Sequence, residues 1–308
     1  MPSNKLGRVL YGVGAQKTGT TWLSGLLRAD DRFRCSPLLH EIHYFDSLYC
    51  GSVLLRRARS RLFNKTDGKG LDREQRALLK KKHDGQADAR DIDPEERARR
   101  RRLDLLLGPI DDDWYLRLLR PAKRHEYSVD ITPNYALVGV EGFRHMLRLA
   151  EVSKFIFIMR NPAARAWSAV VHSANKSRDR DKALERIRGQ SVDELFVRCT
   201  SDPGIALRTD YLKTIVDLHE AGAGEHTLLA LYDDLSERPE VFVEAVYAHL
   251  GVPMRPNPVQ RALYRVPSNV SPKMPIPEPL RQRLVAHYRP MLEEIDAKYR
   301  RIPARWFE

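Results

Sequence analysis

The chain of 308 residues has few cysteines, and these show no pattern of a covalent or metal-bound framework. There are three, Cys35, Cys50 and Cys199, and neither their odd number nor their spacing matches a set of disulfides or a Cys/His zinc site. We therefore predict reduced thiols in a reducing compartment, and we assign no residue as a metal ligand.

Long apolar segments are also absent from the sequence. No apolar run approaches the ~20 residues that cross a bilayer. The N-terminal residues MPSNKLGRVL do not show a basic stretch followed by a long apolar region, which is the pattern of a secretory signal. We expect a cytoplasmic protein that has no membrane span.

Positive charge is in excess, but it is concentrated in one part of the chain. The net charge is +12, and residues 53–102 contribute +8 of it through 17 Lys and Arg against 9 Asp and Glu. Aromatic residues do not alternate with these charges, so we expect no nucleic-acid partner. We interpret residues 53–113 as a solvated helical insertion in which a helix begins at Pro94. A basic surface that recruits an acidic acceptor or carrier protein is the alternative.

Short apolar runs that alternate with helix-like segments predict the fold class. This alternation is typical of an α/β protein whose central parallel sheet is covered by helices on both faces. We predict a single α/β domain over residues 1–308, with ligands at the carboxyl ends of the strands. A proline-rich loop is predicted at 265–280, before an amphipathic C-terminal helix. The runs assigned to strands are residues 8–14, 127–132, 154–160 and 226–235, with 33–37 as a further candidate.

The first of these runs enters a glycine-flanked loop, GAQKTGTTW, at residues 14–22. Gly14 and Gly19 allow a tight turn, and the loop amides and the N-terminus of the following helix supply positive potential. A lysine and three threonines add a charge and hydroxyl donors. The loop is therefore predicted to bind an anion, although Lys17 precedes the last glycine and so departs from the GxxxxGK[ST] loop of nucleoside triphosphate enzymes.

A second motif, RNPAARAWSAVVH, follows the run at 154–160. The strand delivers Arg160 to the carboxyl edge of the sheet, and Ser168 lies on the helix that begins near Pro162. Arginine at such an edge is suited to bidentate contact with a phosphate. The structural alternative places Arg160 and Arg165 in ion pairs.

Together, the two motifs resemble the signature segments of sulfotransferases that use 3′-phosphoadenosine 5′-phosphosulfate (PAPS). The resemblance implies a P-loop-like sulfotransferase fold, in which the first segment holds the 5′-phosphosulfate and the second holds the 3′-phosphate. Trp22 would lie near the adenine, Arg160 and Ser168 would contact the 3′-phosphate, and Lys273 in SNVSPK would be a further phosphate contact. The residues implied at the 5′ end are Gln16, Lys17, Thr18, Gly19, Thr20 and Thr21.

The segment HEIHYFD at 40–46 resembles the Lys-Glu-x-x-x-Phe-Asp segment of soluble bacterial and heparan-type members, in which the glutamate is the catalytic base. Glu41 is then the first candidate for the base and His43 the second. On an extended chain their side chains face the same side, so they could act as a pair. Without the family, His43 would be interpreted as a histidine with satisfied hydrogen bonds near the core. His40 stands where many members have lysine, which leaves Lys17 as the electrostatic catalyst.

Further segments resemble the same family, including VDITPNYAL at 129–137 and LLALYDDL at 228–235. In the first of these, Asp130, Thr132 and Tyr135 either orient the acceptor or shape the end of the strand.

The resemblance implies an enzyme that transfers a sulfuryl group from PAPS to a hydroxyl, or less readily an amine, and releases adenosine 3′,5′-bisphosphate. Lys17 would stabilise the leaving phosphate without a metal, and Glu41 or His43 would take the proton. A P-loop kinase is one alternative, since LLALYDD ends an apolar run in acid as a magnesium-binding strand would. A basic module that binds an acidic partner is the other. The acceptor class stays open among glycans, lipids, natural products and carrier-bound intermediates.

Overall fold

The computed structural model describes residues 5–65, 94–119, 127–264 and 274–308. Its centre is a five-stranded sheet in which every pairing is parallel and the strand order is β2-β3-β1-β4-β5. The predicted single α/β domain with a central parallel sheet is confirmed. The strands are β1 (Leu6–Gly14), β2 (Phe33–Cys35), β3 (Tyr127–Ile131), β4 (Ala150–Met159) and β5 (Thr227–Leu231).

Helices cover both faces of this sheet. In the described residues, none is long and apolar enough to cross a membrane. They are α1 (Thr20–Arg28), α2 (Tyr44–Tyr49), α3 (Leu54–Lys65), α4 (Pro94–Leu107), α5 (Asp112–Leu119), α6 (Gly139–Leu149), α7 (Pro162–Asn175), α8 (Arg180–Arg188), α9 (Val192–Ser201), α10 (Pro203–Ala206), α11 (Tyr211–Glu220), α12 (Tyr232–Glu237), α13 (Pro239–Leu250), α14 (Pro258–Leu263) and α15 (Glu278–Tyr299).

The central strands are apolar on both faces because each face contacts a separate layer of helices. Tyr11 and Phe155 stack with ring centroids 5.2 Å apart in one core, whereas Leu10 and Ile156 belong to the core on the other face. Alternate residues of a strand point to opposite faces, so a strand buried on both faces appears in the sequence as a continuous apolar run. This explains why the runs at 8–14 and 154–160 were readily assigned to strands.

The strand order creates a switch point beside β1. The chain passes from β1 toward β2 and β3 on one side, whereas β4 and β5 lie on the other side. In such sheets the crevice beyond the carboxyl ends of the strands at this point is where ligands bind. The loop that follows β1 and the residue that follows β4, Arg160, therefore meet at the same edge.

The run at 226–235 is shorter as a strand than predicted. β5 ends at Leu231, and α12 begins at Tyr232 with Asp233 and Asp234 in its first turn. Carboxylates near the N-terminus of a helix interact favourably with its dipole, so these residues favour a helix start over a strand end.

The described parts of the segment 53–113 are helical, and α4 begins at Pro94 as predicted. Most residues of α3 are exposed, but its inner face packs in the structure. Arg59 is buried and donates hydrogen bonds to the carbonyl oxygens of Leu106 at 3.0 Å and Gly108 at 2.6 Å. Phe63 joins a small apolar cluster with residues of α4. Residues 66–93 lie outside the described residues, as do 265–273 of the predicted proline-rich loop.

Candidate active site

The loop after β1 is held in shape from the inside. The hydroxyl of Thr18, which is fully buried, donates to the carbonyl oxygen of Ala15 at 2.6 Å, and the amide of Ala15 donates to Ile158 of β4 at 2.9 Å. Gly19 has φ +83° at the N-cap of α1, and a Cβ atom there would lie 2.8 Å from Leu235. Both the backbone conformation and the space therefore require glycine at this position.

Arg160 connects the second motif to this loop. Its Nη1 donates to the carbonyl oxygen of Lys17 at 3.2 Å, and its guanidinium lies 4.8 Å from the ring centre of Tyr232. The hydroxyl of Tyr211 donates to the carbonyl oxygen of Arg160 at 2.9 Å and so holds the backbone of Arg160 in place. Arg165 is buried and donates to the carbonyl oxygen of Ile205 at 2.8 Å. Within the described ranges neither arginine has an ion-pair partner, so the structural alternative of two ion pairs is wrong.

A cluster of positive groups surrounds the loop. The Nζ of Lys17 lies 3.4 Å from Nδ1 of His172 on α7. Burial lowers the pKa of Lys17, and the charges of Arg160 and Lys176 lower it further. Burial likewise lowers the pKa of His172, with smaller contributions from Lys17 and Lys176. The charges of Lys17, Arg160 and Lys176 repel one another in a partly buried place, and an anion bound between them would relieve that repulsion.

Trp22 is buried behind the loop rather than open beside it. Its indole N–H donates to the carbonyl oxygen of Leu263 at 2.9 Å, and its ring packs near Phe242 and Tyr264. The side chain thereby fixes α14 against α1.

A second group of functional side chains lies between β2 and α2. His43 lies 3.1 Å from Glu41 through Nε2 and 3.0 Å from Asp46 through Nδ1. Burial alone would lower the pKa of His43, but the hydrogen bonds and charges of Asp46 and Glu41 outweigh it and raise the pKa to about 9. His43 is therefore an imidazolium at neutral pH, and both of its N–H groups are donated to carboxylates.

Asp46 is held in turn by polar groups from two other segments. Asn134 donates through its amide to the same Asp46 oxygen that contacts His43, and the Nε of Arg208 donates to the Asn134 oxygen at 3.1 Å. Burial would raise the pKa of Asp46, but contact with His43 and Asn134 lowers it, so this carboxylate is ionised. Glu41, His43 and Asp46 thus form a chain of ion pairs in which negative, positive and negative charges alternate. Its buried end, Asp46, is held by Asn134.

Asp130 at the end of β3 fixes the backbone on both sides of His43. Its carboxylate accepts hydrogen bonds from Thr132 at 2.7 Å and from Tyr135 at 2.8 Å. The Thr132 hydroxyl accepts from the amide of residue 42 at 3.0 Å, and the Tyr135 hydroxyl accepts from the amide of residue 44 at 3.1 Å. His43 has φ +58°, a left-handed conformation that is strained for histidine and that these two contacts maintain. Burial raises the pKa of Asp130 to about 6 despite these hydrogen bonds.

A cavity of about 420 Å³ opens beside this chain of ion pairs. Glu41 and His43 line one side of it, and α3 forms the opposite side. Tyr44 and Phe45, in contrast, are buried in the core and do not line it. A further cavity of about 250 Å³ lies near Thr227 and Tyr299, at the end of β5 opposite to the candidate site.

Comparison with known proteins identifies the family. Residues 10–256 match the model of the sulfotransferase family. The chain belongs to this family. A solved sulfotransferase from Alicyclobacillus acidocaldarius has the same fold, with a TM-score of 0.57 and 19% identity over 98% of this chain and 99% of that chain. No curated protein matches.

Two further solved structures are similar to this chain, with lower TM-scores. The sulfotransferase domain of the Synechococcus PCC 7002 olefin synthase has a TM-score of 0.44 and 18% identity, over 93% of this chain and 96% of that chain. The sulfotransferase domain from the curacin biosynthetic pathway has a TM-score of 0.44 and 14% identity, over 92% of this chain and 98% of that chain.

The structure of the sulfotransferase brings most of the sequence-predicted residues to two adjoining regions. Ser168 is half-buried on α7, one turn before His172 and therefore on the same side of that helix. Lys273 lies outside the described residues. The loop residues Gln16, Lys17 and Thr21 are half-buried, whereas Thr18, Thr20 and Trp22 are buried.

Three further side chains at the candidate site were not identified from the sequence. His172, Asn134 and Arg208 each contact a predicted site residue or its partner. For His172 a signal was present, since it follows Ser168 by four residues on a helix. Asn134 and Arg208 meet Asp46 only through the tertiary fold, which no local pattern shows.

The acidic pair that suggested a kinase has structural partners in the sulfotransferase. Asp233 accepts hydrogen bonds from Arg305 at 2.9 Å and from the indole of Trp306 at 3.2 Å. Asp234 pairs with Arg238. Asp233 therefore interacts with the C-terminal part of the chain, and Asp234 interacts with the C-cap residue of α12.

Proposed function

We propose that the chain transfers a sulfuryl group from PAPS to a hydroxyl acceptor. The observation that carries the proposal is the hydrogen bond from Arg160 to the Lys17 carbonyl, because it joins both motif segments in one basic site at the switch point of the sheet. The three unpaired thiols support a cytoplasmic location for this activity.

The residues present fit a donor that carries anionic groups at both ends of its ribose. The loop amides, Lys17, Thr20 and Thr21 are suited to the 5′ end, where α1 begins and its dipole favours negative charge. Arg160 and Ser168 are suited to the 3′-phosphate. Burial lowers the pKa of Lys17, and the neighbouring charges of Arg160 and Lys176 lower it further, so a bisphosphate bound here would neutralise a local cluster of positive charge.

In the transfer step, Lys17 is the electrostatic catalyst. Bound PAPS would supply the sulfuryl group, and its bridging phosphate oxygen would gain negative charge as the bond from sulfur to that oxygen breaks and the acceptor oxygen bonds to sulfur. Lys17 would hold its charge near that oxygen and stabilise it more as the bond lengthens. A preorganised donor of this kind contributes about 10²–10³ in turnover.

On the acceptor side, we assign the general base to Glu41 rather than to His43. His43 is protonated at neutral pH and already donates both of its N–H groups, so it has no lone pair to offer. Glu41 lies beside it, lines the cavity and has a side chain that is 39% exposed. The hydroxyl proton passes to Glu41 as the acceptor oxygen attacks, and the imidazolium holds that carboxylate in position.

Calorimetric titration of the full chain with adenosine 3′,5′-bisphosphate in EDTA tests the donor assignment. We expect tight binding that Arg160→Ala weakens about tenfold or more, since a charged hydrogen bond is worth about 1.5–3 kcal/mol. Arg180→Ala is the matched control, because Arg180 is exposed at the start of α8. Tight binding of ATP with magnesium in place of the bisphosphate would refute the proposal and favour a kinase.

A further inference from the structure

We infer that the acceptor is an amphipathic alcohol, in which an apolar chain or ring separates the reacting hydroxyl from an anionic group. The inference rests on the proposed function, because the cavity it concerns adjoins the proposed base Glu41. It adds the chemical class of the acceptor, which neither the motifs nor the family match specifies.

Aliphatic side chains form half of the residues that line the cavity. Leu38 and Leu39 lie on one side, and α3 contributes Leu54, Ala58 and Leu62 on the other. The three α3 residues are four positions apart, so they form one row along the helix. The hydroxyl groups of a polyol such as a sugar would lose water against these aliphatic side chains without gaining hydrogen bonds from them. An aliphatic or aromatic body would instead gain about 25 cal/mol for each Å² of apolar surface that is buried.

Two arginines provide the charge of this cavity. Arg57 and Arg61 both line it, and they are also four positions apart, in a second row beside the apolar one. In the part of the chain that the structure describes, neither has a carboxylate within ion-pair distance. Arg59 between them points inward and is satisfied by backbone carbonyls, and Arg56 does not line the cavity. Two unpaired guanidinium groups at the rim of an apolar cavity are suited to a carboxylate or a phosphate.

The polarity of the cavity fixes the orientation of the acceptor. Glu41 lies at one side, so an anionic group is repelled there and attracted to Arg57 and Arg61 on α3. The hydroxyl then lies beside Glu41, with the apolar body between the two. A volume of about 420 Å³ lies in the range of pockets for small ligands, which is roughly 300–1,000 Å³.

Binding of three probe molecules to the full chain tests this class. 10-Hydroxydecanoate carries an apolar chain and a carboxylate, 1,10-decanediol lacks the charge, and gluconate lacks the apolar chain. We expect calorimetry with saturating adenosine 3′,5′-bisphosphate to show binding of 10-hydroxydecanoate. Binding of the diol should be about tenfold weaker, corresponding to about 1.4 kcal/mol, and gluconate should not bind.

Substitutions on α3 assign the binding to this cavity. Arg57→Gln with Arg61→Gln should reduce the affinity for 10-hydroxydecanoate to that of the diol and leave the diol unchanged. Arg56→Gln on the same helix is the control and should have no effect. Ala58→Trp should block binding of 10-hydroxydecanoate and of the diol, whereas Ser60→Trp, at an exposed position outside the cavity, should not. Bisphosphate affinity and the melting temperature show whether each variant is folded.

Each result either supports the acceptor class or overturns it. Equal binding of the diol and the hydroxy acid, preferential binding of gluconate, or an equal effect of Arg56→Gln would overturn it, as would the failure of all probes while the bisphosphate binds. If the bisphosphate does not bind but the hydroxy acid binds in an arginine-dependent way, the donor proposal fails and the chemistry of the cavity stands.

Discussion

Replacing His43 by Asn removes a cation that two carboxylates hold in the folded protein and leaves a residue that tolerates its left-handed backbone. The pKa of His43 is raised from 6.5 to about 9. A factor of ten in a protonation equilibrium is worth about 1.4 kcal/mol, so the protonated histidine stabilises the folded state by about 3 kcal/mol. The side chain is only 10% exposed, so solvent screening reduces this value little.

The sign of the effect follows from the direction of the shift. Below pH 6.5 both the folded and the unfolded chain carry the proton, and the stabilisation is fully present. As the pH rises through about 9 the folded protein loses the proton and the stabilisation disappears. Wild-type protein should therefore lose about 3 kcal/mol more of its free energy of unfolding between pH 6.5 and pH 10 than His43→Asn does.

Urea denaturation at closely spaced pH values measures this difference without adding ionic strength. His40→Asn is the matched control, because His40 is exposed three residues earlier in the same segment. Apart from the substituted histidine, the titratable side chains are the same in all three proteins, so comparison between the proteins removes the contribution of those side chains. If wild type and His43→Asn lose stability in parallel, the raised pKa is wrong and the assignment of Glu41 as base loses its support.

Three further predictions concern the two halves of the site. Lys17→Ala should lower turnover by about 10²–10³ with a small effect on bisphosphate affinity, whereas Arg160→Ala should lower bisphosphate affinity with a small effect on turnover. Steady-state kinetics measures the turnover and calorimetry the affinity. Near-normal turnover of Lys17→Ala would refute its role as electrostatic catalyst. Gly19→Ala should destabilise by about 1–3 kcal/mol more than Gly222→Ala in thermal unfolding, since both have φ near +80° but only the first meets a neighbour. Asp130→Asn should lower turnover while bisphosphate affinity is kept, and equal loss of both would indicate a general structural role.

The sequence was sufficient for the parts of the fold that are encoded locally. β1 and β4 are apolar on both faces, so their runs predicted buried parallel strands. The end of β5 was misplaced because Tyr232 continues the apolar run although a helix begins there. Arg59 was interpreted as solvated because it lies among other charges, and only the packing of α3 on α4 shows it buried.

The candidate site could be predicted where its residues form a contiguous motif, but not where they come together only in the folded chain. Lys17 and Arg160 were found because each follows a recognisable strand, and Glu41 and His43 because the segment around them is short. The state of His43 required Asp46 in a fixed geometry, and that geometry depends on Asn134 from a different strand end. Protonation states are set by such tertiary contacts, so the choice of base was beyond the sequence.

The attachment of α3 has a consequence for the engineering of new specificities. Arg59 and Phe63 fasten the helix to α4 on one side, whereas Arg57, Ala58 and Arg61 face the cavity. The inward residues can be kept while the cavity-facing ones are randomised. A library restricted to one face of this helix would therefore explore acceptor preference at constant donor use, in the way that hypervariable loops are exchanged on an invariant antibody framework.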